Sequence, residues 1–185
     1  MSPTSVFGSE TRKLEIYESC IVTKLMYGLE SVWLLQADRR RLDAFQARCL
    51  RRILGIPPSY VSRVPNTEVL RAAGSVPMTR LLLKKQLFLY GKVALLPDDA
   101  PQRKVMFDPG TLRLVSAHYR RKRGRPRQQW PQSVHNLALE AAGSIEVLSS
   151  ILRGDGYIIW KELVQRYVDY CTHPYEDVHT QGMSD

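Results

Sequence analysis

The chain has 185 residues, 44% of them hydrophobic and 24% charged, which suits one domain or one domain with a small appendage and excludes wholesale disorder. No uninterrupted apolar stretch reaches the roughly 18–20 residues that cross a bilayer, and the opening MSPTSVFGSETRK has no apolar core, so it is not a secretory signal. Twenty-seven Lys and Arg against 18 Asp and Glu give a net charge of +9, a surplus that attracts polyanions such as nucleic acid.

Residues 1–12 are mostly small and polar and read as a disordered lead-in. Over residues 13–35 the positions Leu14, Tyr17, Ile21, Leu25, Gly28 and Val32 recur in steps of three and four, which predicts an amphipathic helix. Gly28 on that stripe suits a close backbone approach. A second helix is predicted over 38–54 with Asp38 as its N-cap. At 100° per residue, Leu42, Phe45, Cys49 and Ile53 fall within an arc of roughly 80°. Arg40, Arg41, Arg48, Arg51 and Arg52 fall in an adjacent arc of about 120°, into which neither Asp38 nor Asp43 points. Gly55-Ile56-Pro57-Pro58 ends this helix.

Asn66 then caps a short helix over 67–73 that Gly74 closes, and a helix over 75–95, apolar on more than one side, is the most buried of the set. Residues 97–131 form a long irregular connector with the PDDAP segment, a DPGT turn and a basic run. Helices over 132–142, 144–152 and 157–170 follow, and 173–185 is a flexible tail. The fold class is therefore all-α: a helical bundle over 13–96, the connector over 97–131, and a small C-terminal helical unit over 132–172.

No GxxxxGK[ST] phosphate loop, strand-linked GxGxxG or HExxH zinc helix occurs. Asp98-Asp99 could serve two-metal chemistry, but its flanking prolines mark a surface turn. Cys171, His173 and His179 lack a fourth ligand partner, while His118 and His135 stand alone. The three cysteines, Cys20, Cys49 and Cys171, lie far apart without a CxxC pair, which fits a reducing compartment. No catalytic residue, metal site or cofactor is expected.

The charge is unevenly placed. Arg120, Arg121, Lys122, Arg123, Arg125 and Arg127 lie between His118 and Trp130 with no acid among them, and the rest of the chain carries a balance of only +3. Within this run Arg123-Gly124-Arg125-Pro126 resembles an AT-hook. In that motif glycine lets the backbone sink to the minor-groove floor, proline holds it extended and the arginines lie along a narrow A·T groove. A solvated basic linker or nuclear-import signal is the alternative. The arginine arc of the second helix could follow a phosphodiester backbone through bidentate contacts; a solvated charged face is its alternative. About five or six phosphates engaged on duplex would give a log–log salt slope of roughly −4 to −5.

Several blocks together resemble a known family. Ile16-Tyr17-Glu18-Ser19-Cys20, Leu25-Met26-Tyr27-Gly28-Leu29-Glu30-Ser31-Val32-Trp33, residues 42–56 (LDAFQARCLRRILGI), Asn66-Thr67-Glu68-Val69-Leu70, and Gly124-Arg125-Pro126-Arg127 followed by Trp130 are similar, in order and spacing, to the region C-terminal to the palm in non-LTR (LINE-type) retrotransposon reverse transcriptases. The resemblance covers about residues 13–130. It implies a thumb and adjoining connector that grip nucleic acid, with the palm's paired aspartates and the fingers preceding residue 1, and hence a truncated retroelement product that is not itself an enzyme. Gly91-Lys92-Val93 stands where relatives commonly have Gly-His-Val, and no cysteine/histidine knuckle is recognisable.

The expected function is therefore non-catalytic nucleic-acid binding, to RNA, RNA–DNA hybrid or DNA, inside the cell and in the nucleus. Association with a reverse transcriptase palm and fingers, or self-association, would accompany it; no membrane partner is expected. The alternatives are an A·T-rich minor-groove binder and a bare helical interaction fragment without activity.

Overall fold

Ten α-helices and two short non-α turns follow one another along the chain in the computed structural model, which describes residues 4–115, 130–153 and 156–170. Among these there is no strand, and one isolated antiparallel bridge joins Phe107 to Leu114. The protein is all-α. Two compact units divide it: residues 1–29 with 34–82, and residues 30–33 with 83–185.

In the first unit, α1 (Thr4–Ile16) passes into a π-helical turn (Tyr17–Val22) and then α2 (Thr23–Met26). The lead-in expected over 1–12 is thus helical from Thr4. The helix expected over 13–35 stops at Met26, because Tyr27 turns extended and Gly28 adopts φ +79°. A Cβ at Gly28 would meet nothing within 4 Å. Glycine is needed there for its backbone, not for a close approach. Tyr17 and Met26 are buried, and burial pushes the Tyr17 hydroxyl up to about 12, with Cys49 and then Glu18 adding to the effect.

The helix α3 (Gln36–Ile53) starts two residues earlier than expected, with Leu35 at the N-cap position and no side-chain cap. Asp38 sits inside the first turn, where a carboxylate complements the helix dipole. Gly55 at φ +66° ends the helix as expected, and the Ile56 amide donates to the Arg51 carbonyl at 2.9 Å. A loop containing α4 (Ser59–Ser62) leads to α5 (Asn66–Ala72), whose N-cap position is Pro65. Asn66 is therefore not the cap expected of it. The helix α6 (Met78–Ala94) is held at its start by α3 side chains. Gln46 Oε1 accepts from the Met78 amide at 2.8 Å, and Asp43 accepts from the Thr79 amide at 3.0 Å and its hydroxyl at 2.8 Å. Tyr17, Met26, Leu42, Leu50, Val69, Met78 and Leu82 form this unit's core.

The second unit begins its main run within α6. Leu83, Leu87 and Tyr90 are fully buried together with Phe107, Val134, Leu137, Leu148, Trp160 and Val164. α6 is thus as buried as its apolar pattern predicts. The irregular connector expected over 97–131 is corrected at its start by α7 (Pro101–Met106), which has proline at its first position. Met106, Phe107 and Leu112 are core residues. The anchor is Arg103, itself buried, which donates to Asp98 Oδ1 at 2.7 Å, to the Thr111 carbonyl at 3.2 Å and to the Ala94 carbonyl. Asp98 also accepts from the Gly110 amide at 3.0 Å. The Asp98-Asp99 pair thus belongs to a structural turn.

The remaining helices are α8 (Trp130–Ala142), α9 (Ile145–Ile151) and α10 (Tyr157–Tyr170). Ser144 caps α9, its hydroxyl accepting from the Val147 amide at 3.3 Å. Trp160 donates from Nε1 to the Leu87 carbonyl at 2.9 Å, and Trp130 donates to the Glu30 carbonyl at 2.6 Å.

Candidate nucleic-acid interface

The arginines of α3 divide into two kinds. Arg40, Arg41, Arg48 and Arg52 are exposed, whereas Arg39 and Arg51 are buried. Arg51 donates to the Pro57 carbonyl at 3.2 Å, Ser62 Oγ at 3.2 Å, Asn66 Oδ1 at 3.1 Å and the Val64 carbonyl. Its expected place on the cationic arc is therefore corrected: its guanidinium organises the 55–66 loop. Prolines at 57, 58 and 65 give that loop carbonyls with few amides to satisfy them, and Arg51 supplies the donors.

The second correction concerns Asp38, which does reach the arc. Its Oδ1 lies 3.2 Å from Arg41 Nη1, one turn away, in a pair whose arginine side chain is 82% exposed. An exposed pair of this geometry contributes about 0–1 kcal/mol and can be exchanged for a phosphate. Asp43 points elsewhere, to Thr79.

Arg41, Arg48 and Arg52 then lie within roughly 40° of one another around the helix, spaced about 10 and 6 Å along its axis. Arg40 sits apart from that strip near the start of the helix. The buried stripe is also rotated from the expected one. Leu42 is buried as expected, but its companions are Gln46, Ala47 and Leu50, while Phe45, Cys49 and Ile53 are half-buried along one flank. Burial raises the Cys49 thiol's pKa, and the charges of Arg52 and then Arg48 oppose that rise.

Beside the strip lies an open groove of about 400 Å³, lined by Arg41, Arg48, Ala44, Ala47, Arg51, Pro58, Ser59, Tyr60 and Asn66. Tyr60 is 84% exposed. None of the uncharged lining residues is readable as functional from the sequence. The available signal is the pairing of small residues, Ala44 and Ala47, with arginines on neighbouring turns.

The basic run, Arg120, Arg121, Lys122, Arg123, Gly124, Arg125, Pro126 and Arg127, lies outside the described residues, as do His118, Cys171, His173 and His179. His135 is buried against Tyr90, with Nδ1 2.8 Å from the hydroxyl. No group of three or more His, Cys, Asp or Glu that could hold a metal ion occurs among the described residues. No helix among them is long and apolar enough to cross a membrane. Compared with protein-family models, curated proteins and solved structures, the chain finds no match. The likeness to non-LTR reverse transcriptases therefore rests on the quoted residues alone.

Proposed function

We propose that this protein is a non-catalytic nucleic-acid-binding module that holds the phosphodiester backbone on the α3 face. The observation that carries the reading is the strip of Arg41, Arg48 and Arg52, three exposed cations on one side of one helix. Guanidinium groups match phosphate oxygens bidentately and retain their charge throughout the physiological pH range. The resemblance to a reverse transcriptase thumb supports the same task, and the basic run from Arg120 to Arg127 adds a second cationic segment in the sequence. Nuclear placement is proposed on that run alone.

With Arg51 committed to its loop, fewer phosphates are engaged by α3 than the sequence suggests. Three contacts on duplex correspond to a salt slope of about −2.7, made steeper by any contribution from the basic run. Titration of the chain with matched A·T-rich and G·C-rich duplexes across a salt series tests this. Binding with a slope of about −3 or steeper, alike for both duplexes, is the expected result. Salt-independent binding or none would overturn it. A second reading is favoured by Arg123-Gly124-Arg125-Pro126: minor-groove binding, revealed by preference for the A·T-rich duplex that disappears in Arg125→Ala. A primer-extension assay with Mg²⁺ and deoxynucleotides is expected to show no product.

A further inference from the structure

We infer that the groove beside α3 receives an unpaired base, stacked on Tyr60, so that the preferred ligand is single-stranded nucleic acid. The inference rests on the phosphate-binding reading and deepens it. Tyr60 projects from α4 with 84% of its surface exposed, as Tyr27 and Tyr170 are elsewhere in the chain, and what sets it apart is its neighbours. It lines the same groove as Arg41 and Arg48. An aromatic face beside exposed guanidinium groups combines the two parts of a single-strand site: stacking that any base can use, and charge that tracks the backbone.

The groove's volume, about 400 Å³, falls within the roughly 300–1,000 Å³ of small-molecule sites. Ala44 and Ala47 leave this space open between the arginines of successive turns. The opposite side is fixed by Arg51, whose hydrogen bonds to Pro57, Ser62, Val64 and Asn66 hold the loop that carries Tyr60. A rigid loop lowers the ordering cost of binding. A base paired within a duplex has both faces stacked on neighbours and cannot present one to Tyr60 without leaving the stack. A single strand can.

The test is fluorescence anisotropy of the full chain with short labelled oligo(dT) and oligo(U), and with a duplex of equal length, at two salt concentrations. The Tyr60→Ala, Tyr60→Phe and Ala44→Leu variants are compared with the unaltered chain. Tyr60→Ala is expected to weaken single-strand binding about tenfold and duplex binding by less than about twofold, with Tyr60→Phe near the unaltered chain. Ala44→Leu, which fills the groove without altering charge, should repeat the single-strand loss. Tyr60 is exposed, so its replacement leaves the core untouched, and thermal melting checks this. Unchanged single-strand affinity in Tyr60→Ala, or equal losses on both ligands, would overturn the inference while salt-sensitive binding left the phosphate reading standing. Absence of binding to every probe would overturn both.

Discussion

The guanidinium of Arg51 donates to Asn66 Oδ1 at 3.1 Å, tying the last turn of α3 to the first residue of α5. With the Pro57, Ser62 and Val64 oxygens also served, one buried cation replaces the amides that a proline-rich loop lacks. Removing it leaves several acceptors without their donor, and each hydrogen bond to a charged group contributes about 1.5–3 kcal/mol. Arg51→Met is therefore expected to destabilise the protein by roughly 2–4 kcal/mol, while Arg52→Met at an exposed position changes stability by less than about 0.5 kcal/mol. Urea denaturation of the two variants makes the comparison. Equal, small effects would show that Arg51 is not the loop's anchor.

Gly91 is close to the Trp160 ring, where an added Cβ would clash with both Cδ1 and Nε1. That indole is fully buried and donates to the Leu87 carbonyl, so it cannot swing aside without losing its hydrogen bond. Gly91→Ala is expected to cost about 1–3 kcal/mol through overpacking, despite the better helix propensity of alanine. Thermal unfolding checks it; a raised melting temperature would contradict the packing.

The Tyr90–His135 pair sets a pH dependence. Burial lowers the His135 pKa below its ordinary value and raises that of Tyr90, so both rings favour their neutral forms, with Nδ1 and the hydroxyl 2.8 Å apart. A second proton on the imidazole would place a charge where water is excluded. Because the folded pKa is depressed, the unfolded chain binds more protons as the pH falls below about 6.5, and stability declines from there toward the folded pKa. His135→Gln should flatten the stability profile below about pH 6.5. A slope identical to that of the unaltered chain would remove His135 as its source.

Steps of three and four in the apolar residues reveal α3 and α10, which bury a stripe several turns long, and α6 shows in the sequence as a run that is apolar on more than one side. The same signal is too short-lived in α4 and α7, of four and six residues. Tertiary contacts from Arg51 and Arg103, not periodicity, hold the segments around them. Gly28 lies on the apolar stripe yet serves a turn, because sequence spacing does not distinguish a packing glycine from one with positive φ. The cationic strip was evident in the sequence as a cluster of arginines on α3. Arg51's inward direction was not, because it depends on carbonyls up to 13 residues away. Tyr60 is not legible in the sequence for a related reason: a lone tyrosine in a proline-rich loop carries no periodic signal, and only the fold places it beside Arg41 and Arg48.

The central claim, that polyphosphate lies along the exposed arginines of α3, is tested most directly by comparing two charge reversals. One changes Arg48 and Arg52 to Glu; the other changes Lys104 and Arg113, exposed in the second unit, and alters net charge equally. Affinity for a short nucleic acid is measured for both across a salt series. Arg48→Glu with Arg52→Glu is predicted to weaken binding at least about tenfold and to make the salt slope shallower by about 2, with the second pair within about threefold of the unaltered chain. Equal losses in the two variants would mean that net charge alone, and not the α3 strip, draws the ligand.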